Sequence, residues 1–193
     1  SQQSTNYFKK NIKLSSKITK TNFKIVDVIN NLEKINFNDY NLVTGSAFLD
    51  ILPKTWFKNF HKLNIDTEIV YFALNYNGNF KFFPKHKDDK KILNIFNKDQ
   101  KSDKGIGELA VGPDCTELIN KVFKRTHKTY VLDSTWDVSK NYEFQIYFLN
   151  FCREIIQKNK LNFDDWLKFR LKCIKENNSR FILNNTDFLA IKK

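Results

Sequence analysis

The sequence predicts an α/β fold whose sheet ends on a reversed strand. Three observations carry this reading. Runs of β-formers alternate along the chain with stretches of helical spacing. The apolar run Leu42-Val43 passes into small residues, Thr44-Gly45-Ser46-Ala47, before closing on Phe48-Leu49-Asp50-Ile51-Leu52. A strand that ends in small polar residues makes room for a ligand at the carboxyl edge of an α/β sheet. The last apolar run, Asp187 to Ile191, has no helix after it. An antiparallel last strand on a mostly parallel sheet suits that ending.

Taken in order, residues 1–17 are polar and basic, with Tyr7, Phe8, Ile12 and Leu14 forming a weak helical stripe. Phe23 to Val28 reads as a buried strand ending near Asp27, and Leu32 to Phe37 as a connector. The stretch Asn41 to Leu52 supplies the next strand. After Pro53, apolar residues at 56, 57, 60 and 63 have helical spacing, with His61 at the surface of that helix. Thr67 to Tyr76 is rich in β-formers, Asn77-Gly78 is a hairpin signal, and Asn79 to Phe83 is the returning strand. Asp88 to Asn97 reads as a helix.

Three of the five glycines, Gly105, Gly107 and Gly112, fall in the loop from Asp99 to Pro113. That concentration points to unusual backbone angles or a close ligand approach. Asp114 suits the N-cap of a helix from Cys115 to Lys124. Thr129 to Leu132 is a strand leading into Asp133-Ser134-Thr135-Trp136-Asp137. Helices follow over about Asn141 to Lys158 and Phe163 to Asn177, the second carrying Asp164 and Asp165 where the helix dipole favours negative charge. Phe181-Ile182-Leu183 and the buried strand Asp187 to Ile191 close the chain.

Composition narrows the function classes. The chain has 193 residues, 41% apolar and 15% aromatic, enough for one domain with a core rich in its 19 Phe. It contains no apolar run long enough for a bilayer and no secretory signal pattern, so a soluble, cytoplasmic protein without a membrane partner is expected. Cys115, Cys152 and Cys173 are odd in number and far apart, which gives neither metal spacing nor a disulfide framework. The 33 Lys and Arg against 21 Asp and Glu leave a net charge of +12. That charge would suit nucleic acid. The lysines are scattered, however, so a nucleic-acid partner is the less favoured expectation.

Several motifs together resemble one known family. They are Asn41 to Leu52 followed by Trp56, the segment Ala73-Leu-Asn-Tyr-Asn-Gly78, the loop Asp99-Gln100 with Asp103-Lys-Gly-Ile-Gly107 and Gly112-Pro113, Ser134-Thr-Trp136, and Asn185-Thr-Asp-Phe-Leu-Ala190. Over residues 23–193 the chain resembles a bacterial group of class I S-adenosylmethionine-dependent methyltransferases. The resemblance implies a Rossmann-like, seven-stranded sheet with an antiparallel last strand, a single methyltransferase-like domain, and S-adenosylmethionine as cofactor. It implies that Asp27 and Val28 lie near the adenine, and that Thr44, Gly45, Ser46, Ala47 and Asp50 border the methionine part. Gln100, Asp103, Lys104, Gly105 and Gly107, with Ser134 and Trp136, fall on the side of a small-molecule or otherwise unassigned methyl acceptor. It assigns no catalytic residue and no metal. Such enzymes act on an already activated methyl, so their work is to align a nucleophile and exclude water.

The chain departs from the family at one place. The acidic-Gly-x-Gly-x-Gly loop and the acid ending the next strand should precede Phe23, yet Leu14 to Phe23 runs straight through. This predicts a missing segment between Thr19 and Lys20, so that the sheet lacks its first strands. If the loop is truly absent, the expected function becomes that of a non-catalytic binding protein on the same fold, with a basic nucleic-acid binder as the third reading.

Overall fold

A computed structural model describes residues 24–193. The weak stripe at Tyr7 to Leu14, the Thr19–Lys20 junction and Phe23 lie outside the described residues. The chain divides after Asn36 into two compact units.

In residues 24–36 the expected strand is absent. Lys24 to Asp27 have no regular structure and a turn follows at Val28–Asn30. The Asp27 carboxylate accepts from the backbone N–H of Ile29 at 3.0 Å and of Asn30 at 3.1 Å, and from Asn30 Nδ2 at 2.7 Å. A short acidic side chain that satisfies the next N–H groups makes a turn, and this local competition overrides the β-formers before it. The connector contains a 3-10 turn at Leu32–Lys34.

Residues 37–193 hold a five-stranded sheet with helices, a mixed α/β arrangement. The strands are β1 (Leu42–Ser46), β2 (Ile69–Phe83), β3 (His127–Asp133), β4 (Trp136–Asp137) and β5 (Arg180–Lys192). The helices are α1 (Lys54–Lys62), α2 (Asp89–Gln100), α3 (Cys115–Phe123), α4 (Tyr142–Lys158) and α5 (Asp164–Lys175). The sheet order is β1-β2-β5-β3, with β4 also on β5. Only β1 and β2 pair in parallel; β5 runs antiparallel to β2, β3 and β4. The expected mostly parallel sheet is thus mostly antiparallel by pairing. One reversed strand causes this, because β1, β2 and β3 all point the same way and β5 is inserted between β2 and β3.

The expected hairpin at Asn77-Gly78 does not form. β2 continues as one strand through register shifts between Phe72 and Asn75 and between Tyr76 and Phe80. Gly78 has φ +88°. A positive φ serves a bulge as well as a two-residue turn. Here β5, continuous from Arg180 to Lys192, templates the bulged strand onward. The two closing runs of the sequence are likewise one strand.

Two apolar regions anchor the sheet. On the first, α1 places Trp56 and Phe60 in a stack 4.5 Å apart, and Phe60 meets Phe72 of β2 and Phe123 of α3 edge-on. On the second, α2, α4 and α5 cover the far end of β2 and β5 with Phe96, Phe148, Leu149, Ile155 and Trp166 around Phe80, Phe82 and Phe181. Phe82 and Phe181 are cross-strand partners stacked at 4.2 Å. Full burial of each such ring stabilises the fold by about 2–3 kcal/mol. Arg170 of α5 is wholly buried there, donating to Pro84 O at 2.6 Å and to Asp89, which also accepts from Trp166 Nε1 at 2.7 Å.

Helix starts follow the sequence with one exception. Asn141 caps α4 by accepting from Phe144 N at 3.0 Å. Asp114 does not cap α3: it sits in a 3-10 turn with helical angles and pairs with Lys101 at 2.7 Å. No helix among the described residues is long and apolar enough to cross a membrane.

Candidate functional site at the carboxyl edge of β1 and β2

The small residues that end β1 reach the sheet edge because β1 stops where β2 bulges. Ser46 pairs with Ala73, and the Ala47 N–H donates to Ala73 O at 3.1 Å. The other end of that same peptide, Leu74 N–H, donates to Asp187 Oδ1 on β5 at 2.8 Å. One peptide group therefore bridges the end of β1 and the carboxylate of β5. Ala47 and Leu74, on either side, both adopt left-handed angles, φ +49° and +56°. Each costs about 1–2 kcal/mol for a residue with a Cβ. Strain of this kind persists where the surroundings over-determine it, and it concentrates at functional sites.

Asp187 is the hub. Tyr71 Oη donates to its Oδ2, Leu74 N–H donates to its Oδ1, and Ser134 stands beside it. Burial acts to raise its pKa, but these hydrogen bonds outweigh burial and hold the carboxyl below its ordinary value. The bond to Asp187 in turn raises the Tyr71 phenol. Asn75, fully buried in the bulge, spans the register shift by donating to Phe72 O at 2.9 Å and Thr186 O at 3.0 Å. Its own Oδ1 is buried without a partner.

Asp50 sits just past β1 in the 3-10 turn Leu49–Ile51. Burial pushes its carboxyl up, only partly offset by the N–H groups of Asp50 and Ile51 and by the charge of Lys104. Its Oδ1 is buried with no hydrogen-bond partner. Burial also pushes the Cys115 thiol up to about 12, and the Asp50 charge adds to this, so that thiol is no nucleophile. The glycine loop lies against this turn through Val111 N–H to Leu52 O at 2.9 Å and the Pro53–Ala110 bridge.

Within the loop, Lys104 donates to Asp99 Oδ2 at 2.9 Å and to Asp99 O at 2.7 Å. Burial alone would raise Asp99, but Lys104 and Lys158 hold it below its ordinary range. Asp103 is a loop former. Its carboxylate accepts from the N–H groups of Gly105, Ile106 and Gly107 at 2.8 to 3.1 Å, and the Ile106 and Gly107 bonds lower its pKa. Gly105 and Gly107 have φ +85° and +83°, and a Cβ on either would meet nothing within 4 Å. These two glycines serve backbone angle. Gly45 serves packing: a Cβ there would lie 3.1 Å from the Phe72 ring.

Of the residues singled out from sequence, Thr44 to Ala47 form the end of β1 and the residue after it, Ser134 stands beside Asp187, and Lys104 acts on Asp50. Gln100 ends α2, and its carbonyl would lie 3.3 Å from a Cβ on Gly112. Trp136 stays with the second core, paired with Leu183 and edge-on to Phe144. Asp27 and Val28 belong to the separate unit that ends at Asn36. Sequence reasoning missed Asp187, Tyr71 and Asn75; the one local signal was a lone carboxylate opening the run Asp187-Phe-Leu-Ala-Ile191. No group of three His, Cys, Asp or Glu among the described residues could hold a metal ion. No protein-family model matches the chain, and no curated protein matches it.

Proposed function

We propose that the chain is a Rossmann-like methyltransferase domain that binds S-adenosylmethionine at the carboxyl edge of β1 and β2 and transfers its methyl group to an acceptor. One observation carries this reading most. β1 to β4 point the same way with a reversed final strand inserted between β2 and β3, and the small-residue end of β1 opens beside Asp187 and Asp50. Ligands of open α/β sheets bind outside the carboxyl ends of co-directional strands.

The residues present suit the methionine end of that cofactor. A half-buried carboxylate with a free oxygen, Asp50 Oδ1, matches an ammonium group, and Lys104 stands nearby for a carboxylate. The exposed Ser46 and Ala47 leave the strand end open for the chain between them. When bound, the cofactor supplies a methyl already activated on a sulfonium. The chain's own residues would then hold and orient. Asp187, fixed by Tyr71 and Leu74, keeps a negative charge facing a cationic ligand. Its lowered pKa keeps it ionised at neutral pH and makes it a poor base, consistent with catalysis by alignment.

Titration calorimetry of the full chain with S-adenosylmethionine tests this. Saturable heat in the micromolar range is expected, with Asp50→Asn weakening binding about tenfold or more through a lost charge-assisted hydrogen bond. No heat at high micromolar cofactor sinks the reading. It would leave the second one, a binding protein on the same fold, which the missing glycine-rich loop before Phe23 favours.

A further inference from the structure

Far from that edge, beyond the bulge, β2 pairs among the described residues with β5 alone, and residues of β2 and α2 line a cleft of about 440 Å³. Lys81, Lys85, Lys87 and Lys90 line it, over an apolar floor that includes Phe83 and Leu93. These four lysines make no ion pair or hydrogen bond to another described residue, whereas neighbouring Lys91 pairs with Asp88 at 3.2 Å. The one acid lining the cleft, Asp89, is already engaged by Arg170, Trp166 Nε1 and the His86 N–H. Among the described residues, four cations without a partner therefore line an apolar surface that offers no free acid.

Phe83 is 37% exposed and also lines a second cleft of about 420 Å³. Arg180 stands there with its guanidinium 5.9 Å from the ring centre, itself paired with Asp137 at 3.2 Å. An exposed ring beside a basic cleft is how proteins hold single strands: cations track the phosphates while a base stacks on the ring.

We infer that the Lys81–Lys90 cleft and Phe83 form a docking track for single-stranded nucleic acid. Charge complementarity decides the occupant, since the surface offers unpaired cations and a stacking face together. This inference does not depend on methyl transfer.

The test is binding of a labelled deoxythymidine oligonucleotide, about twelve nucleotides long, to the full chain across a salt series. Affinity should fall steeply with salt. The pair Lys85→Ala, Lys90→Ala should reduce the log–log salt slope by about 1.4, roughly 0.7 per lost phosphate contact on a single strand. Phe83→Ala should weaken binding about tenfold with the slope unchanged. A control pair on α1, Lys54→Ala with Lys58→Ala, should leave both slope and affinity within about twofold. Three outcomes overturn the inference: no binding at low salt, equal effects from the cleft and control pairs, or oligonucleotide displaced by polyglutamate with the same dependence on Phe83. The last would assign the free β2 edge to an acidic extended peptide.

Discussion

Two carboxylates at the sheet edge are pushed in opposite directions, and the difference separates one that stabilises the fold from one that does not. Asp187 is held below its ordinary value by bonds from Tyr71 and Leu74 that outweigh its burial. Its stabilisation is complete above the unfolded value of about 4 and is lost as pH falls through the lower folded value. Asp187→Asn should cost about 1–3 kcal/mol at pH 7 by replacing the charge-assisted bonds to Leu74 N–H and Tyr71 Oη with weaker neutral ones, measured by urea unfolding. The deficit should shrink below pH 4 as the wild-type carboxyl protonates; a deficit constant with pH would contradict the assignment. Asp50 has the opposite sign. Burial raises its value, so its penalty is absent in acid and appears as pH rises from about 4 to the higher folded value. Asp50→Asn should therefore leave the fold as stable at pH 7, or about 1 kcal/mol more stable, while weakening binding of the proposed cofactor. Asp50 stood out in the sequence because it interrupts apolar pairs beside small residues. Tyr71 was not, because its partner lies 116 positions away and only the β2–β5 pairing brings them together.

Helices were legible element by element and the strands less so. Spacing placed α1, α2, α4 and α5 to within a few residues, because an amphipathic period needs only local information. The Asn77-Gly78 pair misled because a positive φ has two uses, and the choice between turn and bulge was made by β5, about a hundred residues on. The glycines test this account. Gly78→Ala places a Cβ 3.0 Å from Pro113 Cβ at φ +88°, so it meets both backbone strain and overpacking. It should cost about 2–4 kcal/mol. Gly105→Ala, at φ +85° with open space around it, should cost only about 1–2 kcal/mol. Paired thermal melts of the two variants check this; equal losses would mean that the Pro113 contact yields freely. A shift in loop proteolysis for Gly105→Ala alone would fit the role of Asp103 in folding that loop.

At the scale of the whole second unit, β2 and β5 belong to both apolar regions at once. Phe72 and Phe188 serve the α1 and α3 side, and Phe82 and Phe181 serve the α2, α4 and α5 side. The site lies where these halves meet, at the bulge between Phe72 and Asn75. Strain at Ala47 and Leu74 is held there by the bonds of Ala47 and Asp187 to the Ala73–Leu74 peptide, so it persists only while β1 and β5 stay paired with β2. Phe181→Ala, fully buried in the second region, should cost about 3–5 kcal/mol. If the halves are one cooperative unit, amide exchange should accelerate in β3, which packs with the first region, by the same free energy as in α4. If β3 keeps its protection while α4 loses it, the α2, α4 and α5 region unfolds as a separate unit, and the strained peptide then depends on the first half only.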